Sequence, residues 1–191
     1  MEKKLNGKKV AILVAEGFEQ VEMTGPRQAL EGAGAVTEIV SPAEGEVQGW
    51  NHFDKGDKFK VDVPLAEADP SDFDALLLPG GVANPDQLRM KPEAVEFVKA
   101  FFDAGKPVAA ICHAPWTLIE AGVVRGRTMT SWPSVKTDLI NAGAQWVDRE
   151  VVTDNGLVTS RKPDDIPAFN EKMIEEFAEG EHRAQKAAAR S

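Results

Sequence analysis

Cys112 is the residue of this chain best placed for chemistry, and it is the only cysteine. An apolar run, Pro107-Val-Ala-Ala-Ile111, stops immediately before it, and Cys-His-Ala-Pro then leads into a helical pattern at 116–122. A nucleophile on a sharp strand-to-helix turn, or elbow, is held out at the edge of the sheet. Because the first amides of a following helix lower a thiol pKa, the sequence predicts a reactive thiolate at this position, whereas most lone cysteines are buried and inert.

The elements that must position Cys112 alternate between short apolar strands and helical patterns. Strands are predicted at 8–15, 35–40, 73–78, 108–111 and 128–131, and helices at about 22–30, 92–104, 116–122, 134–141 and 164–179. This alternation is typical of a parallel sheet that is covered by helices on both faces. Three segments, 16–22, 79–87 and 112–115, follow strand ends, where open α/β sheets bind their ligands.

Two turn-rich stretches interrupt this alternation. Residues 44–64 are polar and contain three glycines, and they predict an excursion with a small hairpin. Asn155-Gly156, in the middle of 151–159, predicts a second hairpin. The chain has no internal repeat or linker, so we expect one domain over 1–180 and a flexible C-terminal tail over 181–191.

Composition narrows the classes of partner. A formal net charge of -9 argues against nucleic acid and anionic membrane surfaces, which reward clustered Lys and Arg. No apolar run approaches the ~20 residues that a membrane span requires, and the first residues lack the apolar stretch of a signal peptide. One cysteine cannot form an internal disulfide, so a cytoplasmic location is the default expectation. Small molecules, peptides or another copy of the chain remain as expected partners.

Read in order, five segments make the chain resemble the DJ-1/PfpI family, and its PfpI-like members in particular, over nearly its whole length. These segments are Glu16-Gly-Phe-Glu-Gln-Val-Glu22, Leu78-Pro-Gly-Gly81, Gly105-Lys-Pro-Val-Ala-Ala-Ile-Cys-His-Ala-Pro115, Ala121-Gly-Val-Val-Arg-Gly-Arg127 and Ile140-Asn-Ala-Gly-Ala-Gln-Trp-Val-Asp148. The resemblance implies a single-domain, flavodoxin-like α/β fold, similar to that of class I glutamine amidotransferases. Such a fold is a three-layer sandwich with a mainly parallel sheet.

The resemblance also assigns candidate catalytic residues. Cys112 matches the family nucleophile, His113 its neighbour and Glu22 the carboxyl group that contacts the sulfur. A carboxyl group held against a thiolate favours its protonated form, so Glu22 can donate a hydrogen bond to sulfur and relay a proton. Taken alone, Glu22 is equally an acidic residue interacting with a helix dipole, and His113 a residue at a helix entrance.

The turn at Pro79-Gly80-Gly81 supplies the expected oxyanion and substrate-binding positions. The amides of Gly81 and His113 form the predicted oxyanion hole, with Gly80 and Ala114 as further contacts. In PfpI-type proteases a glutamate from a neighbouring subunit orients the histidine; here the corresponding loop is one residue longer and ends in Asp86. The resemblance therefore implies a homo-oligomer, a dimer or a hexamer, in which Asp86 completes the site, although Asp86 is also compatible with an ordinary loop carboxylate.

Other functions are excluded by spacing. Gly32-Ala-Gly34 follows a helix and lacks a third glycine at Thr37, so it is not a dinucleotide-binding fingerprint. Beyond residue 150 the only histidine is His182, so the His-x-Glu that completes an amidotransferase triad is missing. The histidines are too scattered for a metal motif, and we expect neither metal nor cofactor, while His52 can line a site entrance.

Three functions remain open. In the first, the thiolate adds to a reactive aldehyde such as methylglyoxal, or to an early glycation adduct, as in stress-related glyoxalases and protein deglycases. In the second, it attacks a peptide carbonyl as an intracellular cysteine peptidase with a Cys112-His113-Asp86 triad. The third belongs to another class, a redox sensor or chaperone whose cysteine is only oxidised. We favour the first, because aldehydes are better electrophiles than amides.

Overall fold

The computed structural model describes residues 3–188 and shows strands and helices in alternation. The strands are β1 Lys9–Leu13, β2 Phe18–Glu19, β3 Val36–Ser41, β4 Glu46–Asn51, β5 Asp54–Lys60, β6 Val63–Pro64, β7 Ala75–Leu78, β8 Val108–Ile111, β9 Thr128–Met129, β10 Gln145–Trp146, β11 Val151–Asp154 and β12 Leu157–Ser160. The helices are α1 Gln20–Gly32, α2 Ala83–Leu88, α3 Pro92–Ala104, α4 Pro115–Glu120, α5 Lys136–Asn141, α6 Ile166–Glu179 and α7 Arg183–Ala188.

The central sheet has seven strands in the order β11-β12-β8-β7-β1-β3-β6. All neighbouring pairs are parallel except β11 and β12, which form the predicted hairpin at Asn155-Gly156. Strand order reverses between β1 and β7, which is the switch point where open α/β sheets bind ligands. The carboxyl ends of β1, β7 and β8 therefore lie side by side, and the predicted flavodoxin-like fold is confirmed.

Helices cover both faces of this sheet because its central strands are apolar on both sides. On β1, Ala11 and Leu13 pack with residues of α3, α4 and α5, whereas Val10 and Ile12 pack with residues of α1 and α6. This two-residue alternation produces the three layers. Among the described helices, none is both long and apolar enough to cross a membrane.

A small second sheet, with strand order β2-β4-β5, lies beside the carboxyl end of β1. Its hairpin β4–β5 is the excursion predicted for residues 44–64. Backbone and side-chain bonds fix it to the loop after β1: Gly17 N donates to Gln48 O at 2.9 Å, and Gln48 N donates to Glu16 Oε2 at 2.8 Å. The hairpin tip, at His52 and Phe53, is thereby held next to the switch point.

The segment after residue 180, for which the sequence predicted a flexible tail, contains the helix α7. Within it, α7 packs near α3: His182 N donates to Gly105 O at 2.7 Å, and the buried Gln185 donates from Nε2 to Lys106 O at 2.5 Å. His182 Nε2 also lies 3.2 Å from Glu176 Oε2. These contacts satisfy backbone groups at the α3–β8 connection. The polar composition of residues 181–191 gave no sign of them. Residues 1–2 and 189–191 of the expected domain and tail lie outside the described residues.

Gln185→Ala should lower the free energy of unfolding by about 1 kcal/mol, because the Lys106 carbonyl loses a buried hydrogen-bond donor. Urea titration followed by circular dichroism measures this loss. Arg183→Ala, at an exposed position of the same helix, is the matched control and should leave the midpoint unchanged. Equal midpoints for both variants would mean that the hydrogen bond from Gln185 to Lys106 contributes nothing to stability.

Candidate active site

Cys112 occupies the predicted elbow directly after β8. Its backbone is left-handed, with φ 64°, and its side chain is buried, with 6% of the residue exposed. Two backbone bonds hold the turn: Cys112 N donates to Ser160 O at 3.0 Å, and Trp132 N donates to Cys112 O at 2.9 Å. A positive φ at a residue with a Cβ is uncommon and stores strain, so these bonds maintain a conformation that the isolated chain would avoid.

Glu22, in the first turn of α1, is the carboxyl group beside this sulfur. It is completely buried; Oε2 accepts a hydrogen bond from Gly80 N at 2.9 Å, and the carboxyl group also interacts with the Cys112 thiol. Burial raises the pKa of Glu22 from 4.5 to about 8, against hydrogen bonds from Cys112 and Gly80 that lower it, and the charge of Glu19 raises it further. Glu22 is therefore protonated at neutral pH and can act as a hydrogen-bond donor and an acid.

The Pro79-Gly80-Gly81 turn admits no side chain at its centre. A Cβ at Gly80 would lie 2.5 Å from Glu22 Oε2, 2.6 Å from Ile111 O and 2.7 Å from Cys112 Cβ. Gly81 has φ 81°, which glycine adopts without strain, and its amide reaches the Cys112 sulfur together with that of His113. Both amides predicted to form the oxyanion hole, those of Gly81 and His113, therefore face the Cys112 sulfur.

Asn84 braces this turn, and sequence reasoning missed it. The side chain is fully buried. Its Oδ1 accepts a hydrogen bond from Ala15 N at 2.7 Å, and its Nδ2 donates to Pro79 O at 2.9 Å and Gly80 O at 3.1 Å. It thus joins the end of β1 to the turn after β7. A buried amide with both ends satisfied fixes the turn against which Glu22 rests.

His113 contacts the sulfur directly. Nδ1 lies 3.1 Å from Cys112 Sγ and Nε2 lies 3.3 Å from Ser134 Oγ, while the ring stacks on Trp132 with centroids 5.8 Å apart. Burial lowers the pKa of His113 to about 4, so the imidazole is neutral at neutral pH and can accept a proton. Ser134 was not predicted as a site residue. The one sequence signal for such a role is its position two residues after Trp132, near the end of a predicted strand.

The predicted low pKa of the Cys112 thiol is wrong. Burial raises this pKa, and the amides of Gly81 and His113 only partly offset the effect. The helix that was expected to lower it has six residues, and its leading amides are already used: Ala114 N donates to Ile111 O and Trp116 N to His113 O. The resting nucleophile is thus a thiol, which must lose its proton as it reacts.

The structure brings only some of the predicted site residues together. Cys112 interacts with His113, Glu22 and Gly81. The Gly80 and Ala114 amides, in contrast, were predicted to bind substrate but already donate to Glu22 Oε2 and Ile111 O. Asp86 does not contact His113: among residues 3–188, the imidazole's hydrogen-bond partners are Cys112 and Ser134. The predicted Asp86–His113 contact is one between neighbouring subunits, and it stays a prediction.

A cavity of about 510 Å³ opens above the sulfur. It is lined by Gly17, Glu19, Glu22, Trp50, His52, Phe53, Gly81, Val82, Ala83, Asp86, Cys112, His113, Trp132 and Pro163. The hairpin tip with His52 and Phe53 forms one wall, as the sequence suggested for His52, and α2 with Asp86 forms another. The volume accommodates a small molecule or one side chain of a larger substrate.

Comparison with known proteins finds relatives that cover most of this chain. Residues 8–176 match the model of the DJ-1/PfpI family. A Bacillus subtilis protein named "Putative cysteine protease YraA" is 46% identical over 168 residues, which cover 87% of this chain and 96% of that protein. A Pyrococcus abyssi protein named as a deglycase is 45% identical over 166 residues, covering 87% and 97%. The crystal structure of Drosophila melanogaster DJ-1beta superposes with a TM-score of 0.81 at 29% identity, covering 95% of each chain.

Glu22→Gln should flatten the dependence of stability on pH. Because the folded-state pKa of Glu22, about 8, lies above its usual 4.5, the carboxyl group stabilises the fold at low pH, and this contribution is lost as pH rises through about 8. The wild-type free energy of unfolding should thus fall between pH 5 and pH 8 by up to ~1.4 kcal/mol per pH unit from this group. Glutamine cannot ionise and should lack this part of the slope.

Urea titrations at the two pH values compare the wild type, Glu22→Gln and the exposed control Glu96→Gln. The control should keep the wild-type slope. Parallel slopes for the wild type and Glu22→Gln would show that Glu22 is ionised throughout, and would remove it as an acid.

Proposed function

This chain belongs to the DJ-1/PfpI family, and we propose that it is a cysteine-dependent enzyme that acts on reactive carbonyl compounds, of the glyoxalase or protein deglycase type. One observation carries this proposal: the thiol of Cys112 lies between a protonated carboxyl group, Glu22, and a neutral imidazole, His113. An acid and a base, both in the required protonation state at neutral pH, meet at one nucleophile.

The first step is addition of sulfur to an aldehyde carbon. His113 Nδ1, 3.1 Å from the sulfur, accepts the thiol proton as the carbon–sulfur bond forms. The carbonyl oxygen becomes negative and is stabilised by the amides of Gly81 and His113, after which Glu22 supplies a proton. The product is a hemithioacetal, and neither a free thiolate nor a carboxylate is required beforehand.

With methylglyoxal, the hemithioacetal rearranges without an external oxidant. The hydrogen of the former aldehyde carbon leaves as a proton, and a proton returns to the neighbouring ketone carbon, so the first carbon is oxidised and the second reduced. The result is a thioester of lactate on Cys112. Water attacks that thioester with His113 as base, and lactate leaves as the sulfur regains its proton. Glu22 and His113 are the groups in place to move these protons.

The same sulfur chemistry on a glycation adduct gives the deglycase reaction. An early adduct of an aldehyde with an amine or thiol retains a carbon at the aldehyde or hemiaminal level. The Cys112 sulfur replaces the amine or thiol on that carbon, the displaced group leaves with a proton, and the remaining steps are those of the aldehyde. The name of the Pyrococcus abyssi relative supports this extension.

A peptidase function is the second candidate, and the name of the Bacillus subtilis relative favours it. Amide cleavage needs a strongly oriented imidazole, which triads obtain from a carboxylate. Here Nε2 of His113 meets the Ser134 hydroxyl, a weaker partner, and Asp86 lines the cavity without contacting the ring. A redox sensor, the candidate of another class, would require only oxidation of Cys112 without turnover.

We also propose that the chain assembles as a homo-oligomer. Phe53 is 93% exposed and Val82 58% exposed, and both lie at the rim of the cavity. An apolar rim of this kind is suited to contact with another copy, and a neighbouring Asp86 could then approach His113. Sedimentation equilibrium at micromolar concentration should yield at least a dimer, and Phe53→Ser should weaken it, whereas a strict monomer would remove Asp86 from the chemistry.

The decisive experiment pairs methylglyoxal with a fluorogenic peptide as substrates. For a carbonyl enzyme, Cys112→Ala and Glu22→Gln should abolish methylglyoxal turnover, because one lacks the nucleophile and the other cannot relay a proton, while Asp86→Asn should have a small effect. For a peptidase, Asp86→Asn should also be severe, with a loss on the order of 10⁴ known for a disrupted triad carboxylate.

Product chirality and mass separate enzymatic turnover from surface chemistry. Lactate formed by the wild type should be of one enantiomer and should vanish in Cys112→Ala. Methylglyoxal loss that persists in Cys112→Ala would overturn the carbonyl proposal. Peptide cleavage lost in both carboxylate variants, without lactate, would establish the peptidase instead.

A further inference from the structure

Negative charge surrounds the cavity above Cys112 without a compensating cation. Besides Glu22, two acidic residues, Glu19 and Asp86, line its walls, and among the described residues no lysine or arginine does. The two residues approach from different elements, Glu19 from the end of β2 and Asp86 from the first turn of α2. A molecule in the cavity is therefore exposed to the charges of two carboxylates.

Glu19 is a fixed feature of the wall. Its side chain is only 12% exposed. Its two carboxylate oxygens accept hydrogen bonds from the backbone amide of His52, at 3.1 and 3.4 Å. The His52 ring nitrogen Nδ1 lies 3.8 Å away, at the exposed hairpin tip. The charge of Glu19 also reaches the reacting groups, since it contributes to the raised pKa of Glu22. The Glu19 charge therefore acts close to the sulfur at which a substrate would bind.

Aromatic faces complete the walls. Trp50, Phe53 and Trp132 all line the cavity, and Trp132 is stacked on the catalytic imidazole. Aromatic rings attract an ammonium or guanidinium group through their electron-rich faces, and they offer no partner to an anion. The overall charge of -9 acts in the same direction, because it concentrates cations near the surface.

We infer that the site selects carbonyl substrates by charge: it accepts those that carry an ammonium or guanidinium group, or no charge, and rejects those that carry a carboxylate or sulfonate. Glu19 and Asp86 are the residues that determine this specificity, with the cationic group of the substrate held between them. This inference depends on the proposed function in one respect, that the substrate must reach Cys112. It extends that function by naming the substrate class.

Methanethiosulfonate reagents of different charge test this selection without any turnover. Thiolate sulfur attacks the reagent to form a mixed disulfide and releases methanesulfinate, and in this chain the lone Cys112 is the only target. Rates are measured by intact mass with the cationic 2-aminoethyl, the neutral methyl and the anionic 2-sulfonatoethyl reagents. Each rate is divided by the rate of the same reagent with free cysteine, which removes intrinsic differences between the reagents.

The normalised rate with the cationic reagent should exceed that with the anionic reagent by about ten-fold or more, as expected for unit charges within several ångströms of two carboxylates. Glu19→Gln and Asp86→Asn should each reduce this ratio several-fold, and the double variant should bring it close to one. The ratio should also shrink at about 1 M salt, where screening acts within about 3 Å. Glu96→Gln, an exposed acid on α3, removes the same charge elsewhere and should leave the ratio unchanged.

His52→Gln tests the histidine that lies beside Glu19 at the hairpin tip. This change leaves the Glu19 carboxylate and the His52 backbone amide that donates to it in place, so it should preserve the ratio. A fall in the ratio on this change would assign the effect to His52 and contradict the role given to Glu19.

The outcomes separate this inference from the proposed function. Equal normalised rates for all three reagents, with intact methylglyoxal turnover, would overturn the charge selection and leave the enzyme proposal standing. A strong cationic preference without turnover of any carbonyl would retain the selective cavity and overturn the reaction. An anionic preference would overturn the inference outright.

Discussion

Exclusion of water from the contact between Glu22 and Cys112 is the constraint on which the rest of the site depends. Ionising a carboxyl group with no exposed surface has a large free-energy cost, and among the described residues no cation pairs with Glu22 to offset it. Glu22 therefore keeps its proton. The Pro79-Gly80-Gly81 turn must then come close enough to give it a backbone donor, and only glycine at position 80 permits that approach. Asn84 holds the turn in place from behind.

The same exclusion acts on all three groups that could react. Burial moves the pKa of Glu22 and of Cys112 upward and that of His113 downward, so each group is pushed toward its neutral form. The resting site is therefore a set of neutral donors and acceptors around one sulfur. Charge develops only when a substrate reacts, and the amides that stabilise it are already in position.

Much of this could be predicted from the sequence, and the exceptions share one cause. Apolar runs of four to six residues and their order fixed the parallel sheet, and the sheet edge then brought 16–22, 79–87 and 112–115 together. Ser134, Asn84 and the C-terminal helix were not foreseeable, because their contacts join segments distant in the chain and leave no periodic pattern. The pKa of Cys112 was mispredicted for a related reason: a turn can be recognised locally, whereas the depth at which it is buried cannot.

The left-handed backbone at Cys112 sets stability against activity at a single position. Glycine adopts φ 64° freely, whereas a residue with a Cβ loses roughly 1 kcal/mol there. A chain optimised only for folding would thus favour glycine at the elbow. Keeping the cysteine there lowers the stability of the folded state. Stabilising designs that draw on backbone preferences alone will remove this nucleophile, so thermal stability and chemistry must be optimised separately in this protein.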